Sequence, residues 1–305
     1  MKFDSIFEVV EENDKYIFLY CNIENKSEML EKYFDYFFDE KVMYQHFNYL
    51  YNVPFSPTHE NYVKLFYELK KFIDDNNYVV DISSEAIKDI EEILVDENLL
   101  AIHNQDFKYR LDKAGKLGEY FFSILLERFF GLHCVIPKTR FTTDYNMSVY
   151  GIDVIYLNED NELYFGESKF TKNVCNGIVQ INKSLQSYEK QILDEYQLVL
   201  NAWDSRNNVY KLHELYGEKI SCSISFIDFI KAVNIEKIYI PLFITHGTET
   251  EKELILKQLS KVNKIKLFDL DTKYIVISLP IIDKDEFIKY MSERINLRMN
   301  DYGKY

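Results

Sequence analysis

Residues 150–170, Tyr-Gly-Ile-Asp-Val-Ile-Tyr-Leu-Asn-Glu-Asp-Asn-Glu-Leu-Tyr-Phe-Gly-Glu-Ser-Lys-Phe, constrain the fold more than any other stretch of the chain. Ile152, Val154, Ile155, Tyr156 and Leu157 form one β-branched and aromatic run, and Leu163, Tyr164 and Phe165 form a second. The polar residues 158–161 between them predict a turn, so the segment reads as a β-hairpin. Asp153 interrupts the first run, and Glu167 and Lys169 follow the second with one residue between them. Side chains alternate along a strand, so Glu167 and Lys169 share one face and Ser168 takes the other. An ionised group inside an apolar strand is unfavourable unless it is paired or binds a metal. Three such groups converging from adjacent strands point to a site.

Two carboxylates held close together repel, and each also loses hydration; a divalent cation relieves both penalties. Hard oxygen donors suit Mg²⁺ or Mn²⁺, which keep several waters and complete their shell with substrate phosphate. A lysine beside such a metal polarises a water or stabilises charge growing on a phosphorane. Asp153, Glu167 and Lys169 together therefore fit phosphodiester hydrolysis.

The pattern Gly-Ile-Asp153, thirteen residues, Glu167-Ser-Lys169 resembles the active-site signature of the PD-(D/E)XK nuclease superfamily. Upstream, Gly118-Glu119 lies in a helical segment where that superfamily often carries a further acidic residue. The likeness spans residues 119–169 and departs from the superfamily name in one respect, since Tyr150-Gly-Ile-Asp153 has no proline before the aspartate. More narrowly, the Phe-Gly-Glu-Ser-Lys-Phe wording, the long region before it and the strand-and-helix tail after it are similar to HamA. That family supplies the nuclease subunit of the Hachiman antiphage defence system. The resemblance implies an α/β fold, with a restriction-endonuclease-like mixed sheet flanked by helices and an α-rich N-terminal region. It implies Mg²⁺ as cofactor, with Mn²⁺ as a substitute, bound by Asp153, Glu167 and the Ser168 carbonyl, with Glu119 as a second-metal or outer ligand. Lys169 orients the attacking water or offsets developing charge. The implied partners are DNA and a HamB-like helicase subunit that restrains the nuclease.

Charge sets a condition on this reading. The net charge of −14 argues against a protein that grips naked nucleic acid by bulk electrostatics, because such affinity comes from Lys and Arg displacing counterions. The acidity is uneven, however. Between Asp106 and Asp144, Lys108, Arg110, Lys113, Lys116, Arg128, Lys138 and Arg140 slightly outnumber Asp106, Asp112, Glu119, Glu127 and Asp144. A neutral-to-basic approach inside an acidic protein suggests that a partner delivers the substrate or that access is restricted. Lys138 and Arg140, near the entry to the hairpin, are candidate phosphate contacts. Gln180 matches the position where some superfamily members place a glutamine after the lysine, and Lys183 and Lys190 are candidates for lining the approach.

Three segments are expected: residues 1–105 as a structural or partner-binding α+β region, 106–203 as the nuclease core, and 204–305 as a C-terminal α/β extension. In the first, residues 6–10 and 16–23 read as a hairpin around Glu-Glu-Asn-Asp. Helical patterns follow over 26–51, 60–73 and from Ser83-Ser84 onward. The second begins with a long helix over 108–130, in which Leu117, Phe121, Leu125 and Phe129 recur every four residues and Gly131 is the stop. One helix is expected from Ile178 to about Leu200. The third alternates: a short helix over 225–233, a strand over 238–245, a helix over 248–261, strands over 264–268 and 274–279, and a final helix over 284–298. These strands are expected to extend the same sheet or to form a companion layer.

Cys21, Cys134, Cys175 and Cys222 form no Cys-x-x-Cys pair, so neither a zinc site nor a disulfide framework is implied. No apolar run is long enough to cross a bilayer and the first residues lack a signal-peptide core, so a cytoplasmic protein with no membrane role is expected. His133, which opens a short run with Cys134, is read as structural, and so is His246, which has no second His or Cys set at matching spacing. Two readings stand beside DNA cleavage: a non-catalytic adaptor that keeps the nuclease fold to dock a partner, and a nuclease acting on RNA.

Overall fold

A computed structural model describes residues 7–21, 26–43, 45, 103–104, 107–108, 114–137, 154–157, 162–202, 225–247 and 251–302. The helical patterns expected over 60–73 and after Ser83 lie outside these residues. In chain order the elements are β1 (Phe7–Glu12), β2 (Tyr16–Cys21), α1 (Lys26–Phe37), β3 (His103–Asn104), β4 (Phe107–Lys108), α2 (Ala114–Phe130), β5 (His133–Pro137), β6 (Val154–Leu157) and β7 (Leu163–Thr171). There follow α3 (Val174–Leu185), α4 (Tyr188–Ala202), α5 (Phe226–Val233), β8 (Lys237–Gly247), α6 (Lys252–Leu259), β9 (Asp271–Ile282) and α7 (Lys284–Tyr302).

Seven strands make one mixed sheet in the order β1-β2-β9-β8-β7-β6-β5. Its middle is parallel, β2 with β9, β9 with β8 and β8 with β7, and each side is finished by antiparallel strands. The sheet draws strands from all three segments of the sequence, so the C-terminal strands are additions to the same sheet. Parallel central strands are covered on both faces and need continuous apolar runs. β8 and β9 supply them, with Ile238, Ile240 to Ile244 and Tyr274 to Leu279 all buried.

Helices cover both faces. On one, α1, α2 and α7 pack Phe34, Phe37, Phe121, Phe122, Phe287 and Met291 onto the odd-numbered residues of β9 and onto Phe243 and Tyr164. On the other, α3, α4, α5 and α6 pack Ile178, Ile181, Tyr188, Ile192, Phe229 and Ile255 onto Leu163, Phe165, Leu242 and Ile244. Two buried tyrosine tips bond across elements: the Tyr120 hydroxyl donates to the Phe37 carbonyl at 2.7 Å and the Tyr33 hydroxyl to the Pro280 carbonyl at 2.9 Å. Among the described residues no helix is long and apolar enough to cross a membrane.

The N-terminal hairpin forms as expected, with the Asn13 side chain accepting the Lys15 and Tyr16 amides at 2.9 and 3.0 Å in its turn. Gly131 ends α2 in the left-handed region (φ +65°), which glycine enters without a Cβ penalty. Three boundaries differ from expectation. Lys108 belongs to the short β3–β4 ladder, where its cross-strand partner is His103, so α2 begins only at Ala114. The single helix expected over 178–200 is two: the chain turns at Gln186-Ser187, where the Ser187 amide bonds back to Ser184, and both helices keep their apolar faces on the sheet. Residues 264–268 are a loop. Side chains take the backbone groups a strand would use: the Tyr274 hydroxyl accepts the Ile265 amide, Thr272 Oγ1 accepts the Leu267 amide, and Phe268 and Asp269 turn to positive φ.

Cys21 lies under α1, where burial pushes its thiol from an ordinary 9.0 to about 12, while a hydrogen bond with Tyr33 opposes that rise. An unfolded chain releases this proton first, so the folded state is fully favoured below pH 9 and loses stability as pH rises from 9 towards 12. The slope is at most about 1.4 kcal/mol per pH unit from this one group. Melting curves between pH 8 and 11 should fall more steeply for the wild type than for Cys21→Ala; parallel curves would show that the thiol is not shielded.

Candidate functional site

β7 carries the chemistry, and the ladder around it explains why. Its register with β6 runs Leu157↔Leu163 to Val154↔Gly166, so the residue after Asp153 pairs with the residue before Glu167. Asp153 itself lies outside the described residues, as do Lys138 and Arg140. On its other side β7 runs parallel to β8, with Glu167 beside Leu242, Lys169 beside Ile244 and Thr171 beside His246. Glu167 and Lys169 share the face covered by α3, as alternation requires. Ser168 is buried on the opposite face, at the register position of Phe243.

Glu167 is only 3% exposed. A carboxylate that deep requires strong partners, because desolvation disfavours the charge unless hydrogen bonds or counter-charge replace water. Its Oε1 accepts a hydrogen bond from Ser184 Oγ at 2.7 Å and is in direct contact with Lys169 Nζ. Lys169 keeps a quarter of its side chain exposed, so the ammonium sits at the boundary between the buried carboxylate and solvent.

The helix over this face is tightly seated. Asn173 caps α3, its side chain accepting the Asn176 amide at 2.8 Å. A Cβ on Gly177 would stand 2.6 Å from Ile244 Cγ2, so only glycine lets α3 approach β8 this closely. Asn182 bridges to the loop after α6, donating to the Lys261 carbonyl at 3.0 Å and accepting the Asn263 amide at 2.8 Å. Tyr188, at the start of α4, donates to the Phe165 carbonyl of β7 at 3.0 Å.

The other sequence candidates fall in different places. Glu119 is half-buried on α2, whose Gly118 packs against Phe170, so it belongs to the helix layer on the Ser168 and Phe170 side of β7. Gln180 and Lys183 are exposed on α3. His246 is fully buried, with Nε2 2.8 Å from Ser278 Oγ, and ties β8 to β9 inside the sheet. Sequence reasoning missed Ser184. The signal was present: Val174, Gly177, Ile181 and Ser184 recur at three- and four-residue steps, which places a hydroxyl on the stripe that faces the sheet.

Among the described residues no three His, Cys, Asp or Glu side chains gather as a metal-binding cluster. Glu167 fits a hard cation in kind: its buried carboxylate is an oxygen donor of the sort Mg²⁺ and Mn²⁺ prefer. The arrangement can therefore bind a cation through oxygen and present a lysine beside it.

The family model HamA matches residues 3–295, nearly the whole chain, and the chain belongs to that family. A search of curated proteins finds no match.

Proposed function

We propose that this member of the HamA family is the nuclease component of a Hachiman defence system, hydrolysing DNA phosphodiesters with Mg²⁺ or Mn²⁺. The observation that carries the reading is the buried Glu167 carboxylate with the Lys169 ammonium on its oxygen, on the strand face that also carries the buried Leu163 and Phe165. Membership implies a defence component; the nuclease chemistry rests on this constellation together with the Asp153 to Lys169 motif. The mixed sheet with helices on both faces, and the α2-β5-β6-β7 order leading into the motif, support a restriction-endonuclease-like core.

In this reading Asp153 and Glu167 hold the cation and the Ser168 carbonyl adds an oxygen, while Glu119, in the helix layer on the other face of the sheet, stands outside that shell. The bound metal supplies Lewis-acid polarisation of the phosphoryl group and a more acidic water. Lys169 donates hydrogen bonds where negative charge builds on the phosphorus centre. Leu242, Ile244 and α3 wall off water on that side, which strengthens each charge interaction inside. Lys138, Arg140, Gln180 and Lys183 are the proposed DNA contacts. With a net charge of −14, productive binding depends on a helicase subunit that delivers the strand and keeps the nuclease restrained beforehand.

The test is degradation of supercoiled and linear DNA, with RNA alongside, by the protein alone and with its helicase partner, in Mg²⁺, Mn²⁺ or EDTA. DNA cutting that needs metal and is lost in Asp153→Ala supports the proposal. Selective RNA cutting would replace the substrate, and a folded protein that binds its partner yet cuts nothing under any condition would make it an adaptor.

A further inference from the structure

We infer that Ser184 is a positioning residue for the metal-binding carboxylate: its hydroxyl fixes Glu167 in the orientation that receives the cation. The inference rests on the metal-dependent reading above. Ser184 and Lys169 both meet Glu167 Oε1, and they differ in kind. Lys169 ends a flexible chain and is partly exposed, so in this reading it can swing from the carboxylate towards a substrate phosphate. Ser184 reaches Oε1 at 2.7 Å from a short side chain on a helix fixed at its start by the Asn173 cap, over its first turn by Gly177 against Ile244, and near its end by the Asn182 bridge. Its donor therefore stays in place when the lysine moves. It also occupies one lone-pair direction of Oε1, which restricts the directions from which a cation is received. Hydrogen-bond donors behind a metal-ligating carboxylate act through the ligand, and losing one lowers metal affinity by roughly 10–100-fold.

The experiment is calorimetric titration of Mn²⁺ into the full chain, without nucleic acid, for the wild type, Ser184→Ala, Ser184→Thr, Ser184→Cys and Glu167→Ala, each first shown to be folded by its melting curve. Binding in the wild type, weakened about 10-fold or more in Ser184→Ala and Ser184→Cys and recovered in Ser184→Thr, is the expected result. Cysteine nearly matches serine in shape but donates weakly, so it separates the hydroxyl from packing. Wild-type affinity in both Ser184→Ala and Ser184→Cys would overturn the inference while leaving the metal site intact. Equal weakening in the Thr variant would assign the effect to packing and overturn it as well. A wild type that binds no Mn²⁺, like Glu167→Ala, would remove the metal reading itself and this inference with it.

Discussion

Lys169→Ala is expected to lower metal-dependent DNA cleavage by roughly 10²–10³-fold while leaving the protein folded and able to bind its partner. The size follows from where the ammonium stands. Glu167 is buried and Lys169 touches its Oε1, so the lysine is the charged group that links a low-dielectric wall to the solvent side where a phosphate would lie. Donors aimed at developing charge in such surroundings contribute more than the same groups in water. The substitution also strips a counter-charge from Glu167, whose Oε1 still accepts the Ser184 hydroxyl. A second effect follows: metal binding to Glu167 should be kept or tightened, because a cation no longer competes with the ammonium. Initial cleavage rates at saturating Mg²⁺, with Mn²⁺ titrations beside them, separate the two consequences. Wild-type rates in Lys169→Ala would remove Lys169 from the chemistry, whereas parallel loss of rate and of metal affinity would assign it to structure.

Phe121→Ala should be the most damaging single core truncation, at about 3–5 kcal/mol, against a total stability that for a domain is about 5–15 kcal/mol. Phe121 is fully buried on α2 and stacks on Phe37 of α1 with ring centroids 4.2 Å apart. It also meets Phe287 of α7 edge-on at 5.8 Å and Phe38 at 5.9 Å. One ring thus joins the N-terminal, central and C-terminal segments on one face of the sheet. Its removal leaves a cavity that three helices must close together, and tightly packed aromatic neighbours collapse poorly. Chemical denaturation should show a lower midpoint with little change in slope, and a loss under about 1 kcal/mol would show that the three helices do not share this core. Since α2 also seats Gly118 on Phe170 of β7, the damage should reach the strand that carries Glu167 and Lys169.

Much of this was legible along the chain because it is local. Two short β-branched and aromatic runs wrote β6 and β7, and the offset of Glu167 and Lys169 by two put both on one face before any tertiary contact was considered. Four-residue spacing wrote the body of α2, and Gly131 wrote its end. Local pattern was misleading where side chains from elsewhere claimed the backbone. Ile265, Leu267 and Phe268 look like a strand, yet Tyr274, Thr272 and Glu189 bind their amides and turn the segment into a loop. The apolar stripe through 178–200 is continuous, so its break at Gln186-Ser187 leaves no mark in the periodicity.

What the sequence determined by itself was the chemistry in hand: a carboxylate and a lysine two residues apart on a buried strand, in a chain of net charge −14. The tertiary structure alone decided how deep that carboxylate sits and what it meets. The first hairpin pairs β2 in parallel with β9, more than 250 positions later by the register Tyr16↔Tyr274, and α3 folds back over β7 so that Ser184 reaches Glu167. Neither pairing has a local signature, because strand partners and helix crossings are selected by the burial of whole faces, to which each residue contributes only a small share.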